Sequence, residues 1–195
     1  GPIQSAIIIS EVDIPSFVDV DFDGDIDVLT FKQSGGYVEY HQNQSQELYG
    51  NCDSLIFELK TDCWGKFFEG LNEYDFNSCQ SQTTIDQPII ESRSSGGHSG
   101  SSTLTLDIDG DNDMDIILGD VSFNNLNLLI NTGDSEDALM TSVNQDFPIG
   151  NGSNVSAEIE SFPAAFHLDV NNDGIRDLVV SPNTNNNAED FESIY

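Results

Sequence analysis

Asp19-Val20-Asp21-Phe22-Asp23-Gly24-Asp25-Ile26-Asp27 returns twice in this chain, as Asp107-Ile108-Asp109-Gly110-Asp111-Asn112-Asp113-Met114-Asp115 and as Asp169-Val170-Asn171-Asn172-Asp173-Gly174-Ile175-Arg176-Asp177. Oxygen-bearing side chains stand at loop positions 1, 3, 5 and 9, and position 6 is Gly24, Asn112 or Gly174. A sharp turn at position 6 lets alternate side chains converge on one point, and Gly or Asn tolerates the left-handed backbone such a turn needs. Carboxylates packed this closely repel one another unless a cation lies among them. The pattern therefore predicts an oxygen cage for a hard divalent ion, calcium, with bonds of about 2.3–2.6 Å.

The flanks say what the loops connect. A β-like run precedes each one (Phe17-Val18, Leu104-Thr105-Leu106, Ala165-Phe166-His167-Leu168) and another follows it (Val28-Leu29-Thr30-Phe31, Ile116-Ile117-Leu118, Leu178-Val179-Val180). Each loop thus joins two strands. An EF-hand is excluded, since it needs flanking helices and a Glu at position 12, which here is Thr30, Leu118 or Val180. A third β-like run then follows in each unit: Gly36 to Tyr40, Asn127 to Ile130, and Phe191 to Tyr195. The unit is strand, loop, strand, turn, strand and something further.

Loop starts at Asp19, Asp107 and Asp169 are 88 and 62 residues apart, and such periods mean a repeat architecture. With the shorter interval as the repeat length, the longer one holds an insertion of about 26 residues. The expected organisation is a single incomplete segment over 1–195, with repeat cores at about 15–43, 101–133 and 163–195 and a Cys-bearing insertion at about 44–96. That insertion carries Cys52, Cys63, Cys79, Trp64, Phe67, Phe68 and Tyr74, and leaves through the Ser/Gly-rich run from Ser94 to Ser101. No segment shows a convincing helical period of any length, although Phe67 to Tyr74 could make a turn or two. Three cysteines allow at most one internal disulfide, with all three pairings open, and their spacing does not suit zinc.

Composition narrows the partners. Acidic residues number 35 against 5 basic ones, and the loops hold 13 of the Asp residues. Three calcium ions would return +6 of the net −30 and leave a formal −24. Nucleic acid and anionic membrane surfaces are poor partners, because phosphate contact relies on Lys and Arg that the chain scarcely has. No apolar run approaches the roughly 20 residues of a membrane span, and Ile7-Ile8-Ile9 is too short for a signal peptide. Weak calcium loops are tuned to millimolar calcium, so a secreted or cell-surface protein is expected. Gly1-Pro2 reads as the scar of a removed tag, and the chain as a piece of a longer protein.

The loops with their strands, over Phe17 to Phe31, Leu104 to Gly119 and Phe166 to Pro182, resemble FG-GAP or VCBS repeats, as in the propeller of integrin alpha chains. The overall pattern, with its Cys-bearing insertion, is similar to large secreted FG-GAP proteins of the Bacteroidota. The resemblance implies an all-β fold in which each repeat is about one four-stranded antiparallel blade, with a calcium loop between its first and second strands. It implies one ion held by the carboxylates of Asp19, Asp21, Asp23 and Asp27 with the carbonyl of Asp25. A second would be held by Asp107, Asp109, Asp111 and Asp115 with the carbonyl of Asp113. A third would be held by Asp169, Asn171, Asp173 and Asp177 with the carbonyl of Ile175. Asn171 in place of Asp lowers the charge of the third cage, which should bind more weakly. Three repeats make an arc and not a ring, since propellers need about four to eight blades. Further blades of the parent protein, or other copies, would complete it.

The expected ions are structural, because four side chains and a carbonyl leave little room for substrate. His41, His98 and His167 lie in unrelated contexts and no nucleophile motif is present, so no enzyme is expected. What the resemblance implies is a non-catalytic segment for adhesion or for binding a protein or glycan ligand. Two alternatives stand beside it: an accessory or carbohydrate-binding propeller of a secreted hydrolase, and an architectural spacer in a surface fibre. Trp64, Phe67, Phe68 and Tyr74 are either anchors of a recognition surface or a small local core beneath the insertion.

Overall fold

The structure, a computed structural model, describes residues 6–79 and 100–183. The chain is all-β, with one short helix among the described residues. It lays down β1 (Ser16–Val18), β2 (Asp27–Phe31), β3 (Val38–Asn43), α1 (Ser45–Tyr49) and β4 (Phe57–Trp64). There follow β5 (Phe67–Glu69), β6 (Tyr74–Phe76), β7 (Ser101–Leu106), β8 (Asp115–Asp120), β9 (Leu126–Asn131) and β10 (Met140–Phe147). The last elements are β11 (Pro163–Leu168) and β12 (Asp177–Pro182). Strands β1 to β4 form one antiparallel sheet in chain order, β7 to β10 a second, and β11 pairs with β12 in a third. Each acidic loop joins the first two strands of its sheet.

The further element of the unit is a fourth strand, β4 or β10. Strand β4 comes from within residues 44–96, so the Cys-bearing stretch belongs in part to the first sheet. Glu58, Leu59 and Lys60 are exposed in a row on it, as befits the edge of the sheet. Phe67 to Tyr74 is not helical: β5 and β6 pair as a hairpin, Phe67 opposite Phe76, turning through Asn72 at φ 53°. The expected third strand at Phe191–Tyr195 lies outside the described residues.

The second sheet explains why its strands read as continuous apolar runs. Ile116 and Leu118 face the first sheet, where they pack with Leu29, Phe31, Val38 and Trp64. Ile117, on the opposite face, packs with Leu126, Leu128, Ala165 and Val180 toward the third. A strand buried on both faces needs no polar alternation. Each such fully buried aliphatic side chain contributes about 1.5–3 kcal/mol.

Backbone contacts tie the sheets in order. Ile14 runs parallel to β7, receiving the Thr103 N–H at 2.9 Å and donating to Ser101 O at 3.0 Å, which covers the free edge of β7. Between the second and third sheets, Ser102 Oγ donates to Pro163 O at 2.7 Å. The same carbonyl would lie 1.9 Å from a Cβ placed on Gly119. Gly119→Ala is therefore expected to cost about 2 kcal/mol by forcing the two sheets apart, read as a lower urea midpoint with an unchanged slope.

Trp64, Phe67, Phe68 and Tyr74 of the Cys-bearing stretch pack inward, whereas Tyr49 on α1 is exposed. Trp64 and Phe67 are buried in the cluster between the first two sheets, with Tyr74 packed on it. Phe68 sits edge-on to Tyr37, with ring centres 5.1 Å apart. Cys63 and Cys79 form the disulfide, which closes β4 over this hairpin, and Cys52 is free and exposed.

Candidate metal centre

The three loops share one hydrogen-bond scheme. The position 1 carboxylate accepts the position 6 N–H: Gly24 to Asp19 at 3.0 Å, Asn112 to Asp107 at 3.1 Å and Gly174 to Asp169 at 2.9 Å. The position 5 carboxylate accepts from position 7: Asp25 to Asp23 at 3.0 Å, Asp113 to Asp111 at 3.1 Å and Ile175 to Asp173 at 2.8 Å. The position 9 carboxylate reaches back to the position 2 N–H: Val20 to Asp27 at 2.9 Å, Ile108 to Asp115 at 3.0 Å and Val170 to Asp177 at 3.2 Å. Each loop thereby folds around its own carboxylates.

Position 6 is left-handed as the residue types predict, at φ 103° for Gly24, 71° for Asn112 and 88° for Gly174. Position 4 is left-handed too, at 61° for Phe22, 82° for Gly110 and 60° for Asn172. Phe22 is the misfit, a bulky exposed side chain in a conformation that glycine and asparagine adopt more readily. Phe22→Asn is expected to stabilise the chain by about 0.5–1 kcal/mol, measured by urea unfolding.

The position 9 residues anchor the first two loops to the sheets. Asp27 and Asp115 are fully buried. Asp27 Oδ1 accepts the Asn43 N–H at 2.7 Å, and Asp115 Oδ1 accepts the Asn131 N–H at 2.8 Å. Both asparagines stand 24 residues after their loop starts, at the end of the third strand, and both tie it onward. Asn43 Oδ1 accepts from Ile56 N, and Asn131 Oδ1 from Gly133 N and Leu139 N. Tyr40 adds a hydroxyl shared between Asp21 and Asp27, 3.2 Å from each.

Carboxylate oxygens of Asp19, Asp21 and Asp27 lie within 4.8 Å of one another, as do those of Asp107, Asp109 and Asp115. These are positions 1, 3 and 9, spaced as ligands around one ion with metal–oxygen bonds of about 2.3–2.6 Å. Either cluster could hold a metal ion. Asp23 falls in a second group, with Asp21 and Glu47; Asp111 falls in none. In the exposed third loop the carboxylates of Asp169, Asp173 and Asp177 form no such group, and Asn171 Nδ2 donates to Asp173 Oδ2 at 3.0 Å.

Unsatisfied oxygens mark where a cation fits. Asp19 Oδ1, Asp21 Oδ1, Asp25 Oδ1 and Asp113 Oδ1 are buried without a hydrogen-bond donor. Buried polar atoms normally have partners, so several acceptors turned into two acidic loops call for positive charge. Position 7 was expected to offer only its carbonyl, yet the side chains of Asp25 and Asp113 are 2% and 3% exposed. Burial pushes Asp27 up to about 7, the amides of Asn43 and Val20 opposing it. Burial and then the charges of Asp111 and Asp115 push Asp113 up to about 6. Burial also raises Asp19, Asp25 and Asp115. All the gathered donors are carboxylate oxygens, which suits a hard ion over zinc or copper.

Other candidate residues lie apart from these loops' cages. His41 Nε2 is 3.0 Å from Glu39 Oε2, and His167 sits on β11 with burial and Arg176 lowering its basicity. His98 lies outside the described residues. Among the described residues no helix is long and apolar enough to cross a membrane. No known protein family, no curated protein and no solved structure matches the chain.

Proposed function

We propose that the chain is a non-catalytic, calcium-stabilised β-propeller segment of a secreted or cell-surface protein, used for adhesion or ligand binding. One observation carries the calcium assignment: a single hydrogen-bond scheme recurs in all three loops, and in the first two positions 1, 3 and 9 gather, with buried unpartnered oxygens on Asp19, Asp21 and Asp25 in the first loop and on Asp113 in the second. Oxygen-only cages favour calcium or magnesium, and magnesium's demand for small octahedral geometry fits a flexible acidic loop poorly. The ions would pin each crossover from first to second strand, where the carboxylates would otherwise repel.

The blade assignment is supported by two four-stranded antiparallel sheets in chain order, packed face to face, with a third beginning at β11. It fits the likeness to FG-GAP repeats seen in the sequence, and further blades or copies would continue the arc. The disulfide between Cys63 and Cys79 suits an oxidising, extracellular setting. Elemental analysis of the chain after dialysis against equal calcium and magnesium tests the ion. Two tightly held calcium ions and a weaker third are expected; a chain without bound calcium would overturn the reading.

A further inference from the structure

The first loop differs from the second in what lies against it. Immediately after β3 the chain forms α1, and two of its hydrogen bonds run to the loop. Gln46 N donates to Asp25 Oδ2 at 2.9 Å, and Gln46 Nε2 to the Asp23 carbonyl at 3.1 Å. Gln42 Nε2 bridges loop and helix, donating to Asp21 Oδ2 and, at 2.7 Å, to Glu47 Oε1. The result is that Glu47 brings a carboxylate oxygen within 4.8 Å of oxygens from both Asp21 and Asp23. Among the described residues the second loop gathers no carboxylate from outside itself.

Three carboxylates together are not a site without further cause. Here the cause is independent of their number. Asp25, 2% exposed and fixed through Oδ2 by α1, keeps Oδ1 buried with no donor. Asp21 Oδ1 and Gln46 Oε1 are likewise buried and unpartnered, so acceptors from both loop and helix remain unsatisfied at their contact. Protein donors that could meet them are already engaged: Gln46 N on Asp25, Gln46 Nε2 on Asp23, and Gln42 Nε2 on Asp21 and Glu47. A cation beside Asp21, Asp23 and Glu47 would meet Asp21 Oδ1 and bring positive charge to the contact where Asp25 Oδ1 and Gln46 Oε1 lack donors.

We infer that Glu47 is a calcium ligand supplied from outside the loop, so that the first site closes only when α1 docks on it. This rests on the calcium reading above and deepens it. Added ligand charge and a rigid anchor both tighten an oxygen site. The first loop is thus the tightest of the three, and its ion orders the stretch between β3 and β4.

Calcium titration calorimetry on the whole chain tests this with Glu47→Gln and, as a control for the lost charge, Glu136→Gln on an exposed turn. Both variants are compared with the parent after matching far-ultraviolet circular dichroism. Glu47→Gln is expected to weaken the tightest site at least about tenfold and leave the next unchanged, while Glu136→Gln alters neither. If the parent binds calcium and both variants bind it alike, Glu47 is no ligand, although the calcium reading survives. If the parent binds no calcium, both fall together.

Discussion

Asp27→Ala is expected to lower the stability of the calcium-free chain by about 2–4 kcal/mol, far more than Asp177→Ala at the same position of the third loop. Asp27 is fully buried and accepts from Val20 N, Asn43 N and Tyr40 OH. Truncation leaves the Val20 and Asn43 N–H groups without a partner, Tyr40 keeping only Asp21, and detaches the loop from the third strand. Asp177 is only half-buried and accepts from Val170 N in an exposed loop, so its loss should stay below about 1 kcal/mol. Urea unfolding in chelator measures both. Repeating it with calcium should widen the gap, because Asp27 also lies in a carboxylate cluster and Asp177 does not. Equal losses in the two variants would contradict the anchoring role of Asp27.

The second large effect is a dependence on pH that calcium removes. Asp27 lies at about 7 and Asp113 at about 6 in the folded chain, against an ordinary 3.8. Between those values the folded chain keeps protons that the unfolded chain has already released. Stability therefore falls as pH rises from about 4 to about 7, and then levels off. In chelator the melting temperature should drop on the order of 5 °C across that window. Calcium takes the place of the protons, so saturating calcium should flatten the slope, and binding should release protons and tighten toward neutral pH. Asp27→Asn, neutral at every pH, should flatten the upper part of the slope even in chelator. A melting temperature that climbs steadily with pH in chelator would overturn this account.

The loops and their strands were legible because both follow simple periods. Alternate side chains converge where Gly or Asn lets the backbone turn, and Ile116 to Leu118 announces a strand buried on both faces. Less legible was whatever depends on a partner distant in the chain. Glu47 enters the first loop from a five-residue helix whose period is too short to register. Asn43 and Asn131 carry a signal that alignment of the units does contain, an equal offset of 24 residues from the loop start. Their amides look like ordinary polar residues until Asp27 and Asp115 are seen to reach them. Phe22 hid the left-handed position 4, since Gly110 and Asn172 mark it in the other loops and a phenylalanine does not. Strand β4 alternates too weakly at its solvent edge, and the strands β5 and β6 are three residues each, below the length at which period separates hairpin from helix. Of three possible cysteine pairings, only the geometry of β4 and the hairpin selects Cys63 with Cys79.

Calcium as the organiser of the acidic loops is tested most directly by thermal unfolding of one preparation at pH 7.5, in chelator, in millimolar magnesium and in millimolar calcium. The account predicts that calcium raises the melting temperature by at least about 10 °C, because two or more cages bind only the folded chain, and that magnesium gives a small part of that rise. Equal melting temperatures in all three would mean that these loops close without an ion, and the calcium assignment would fall.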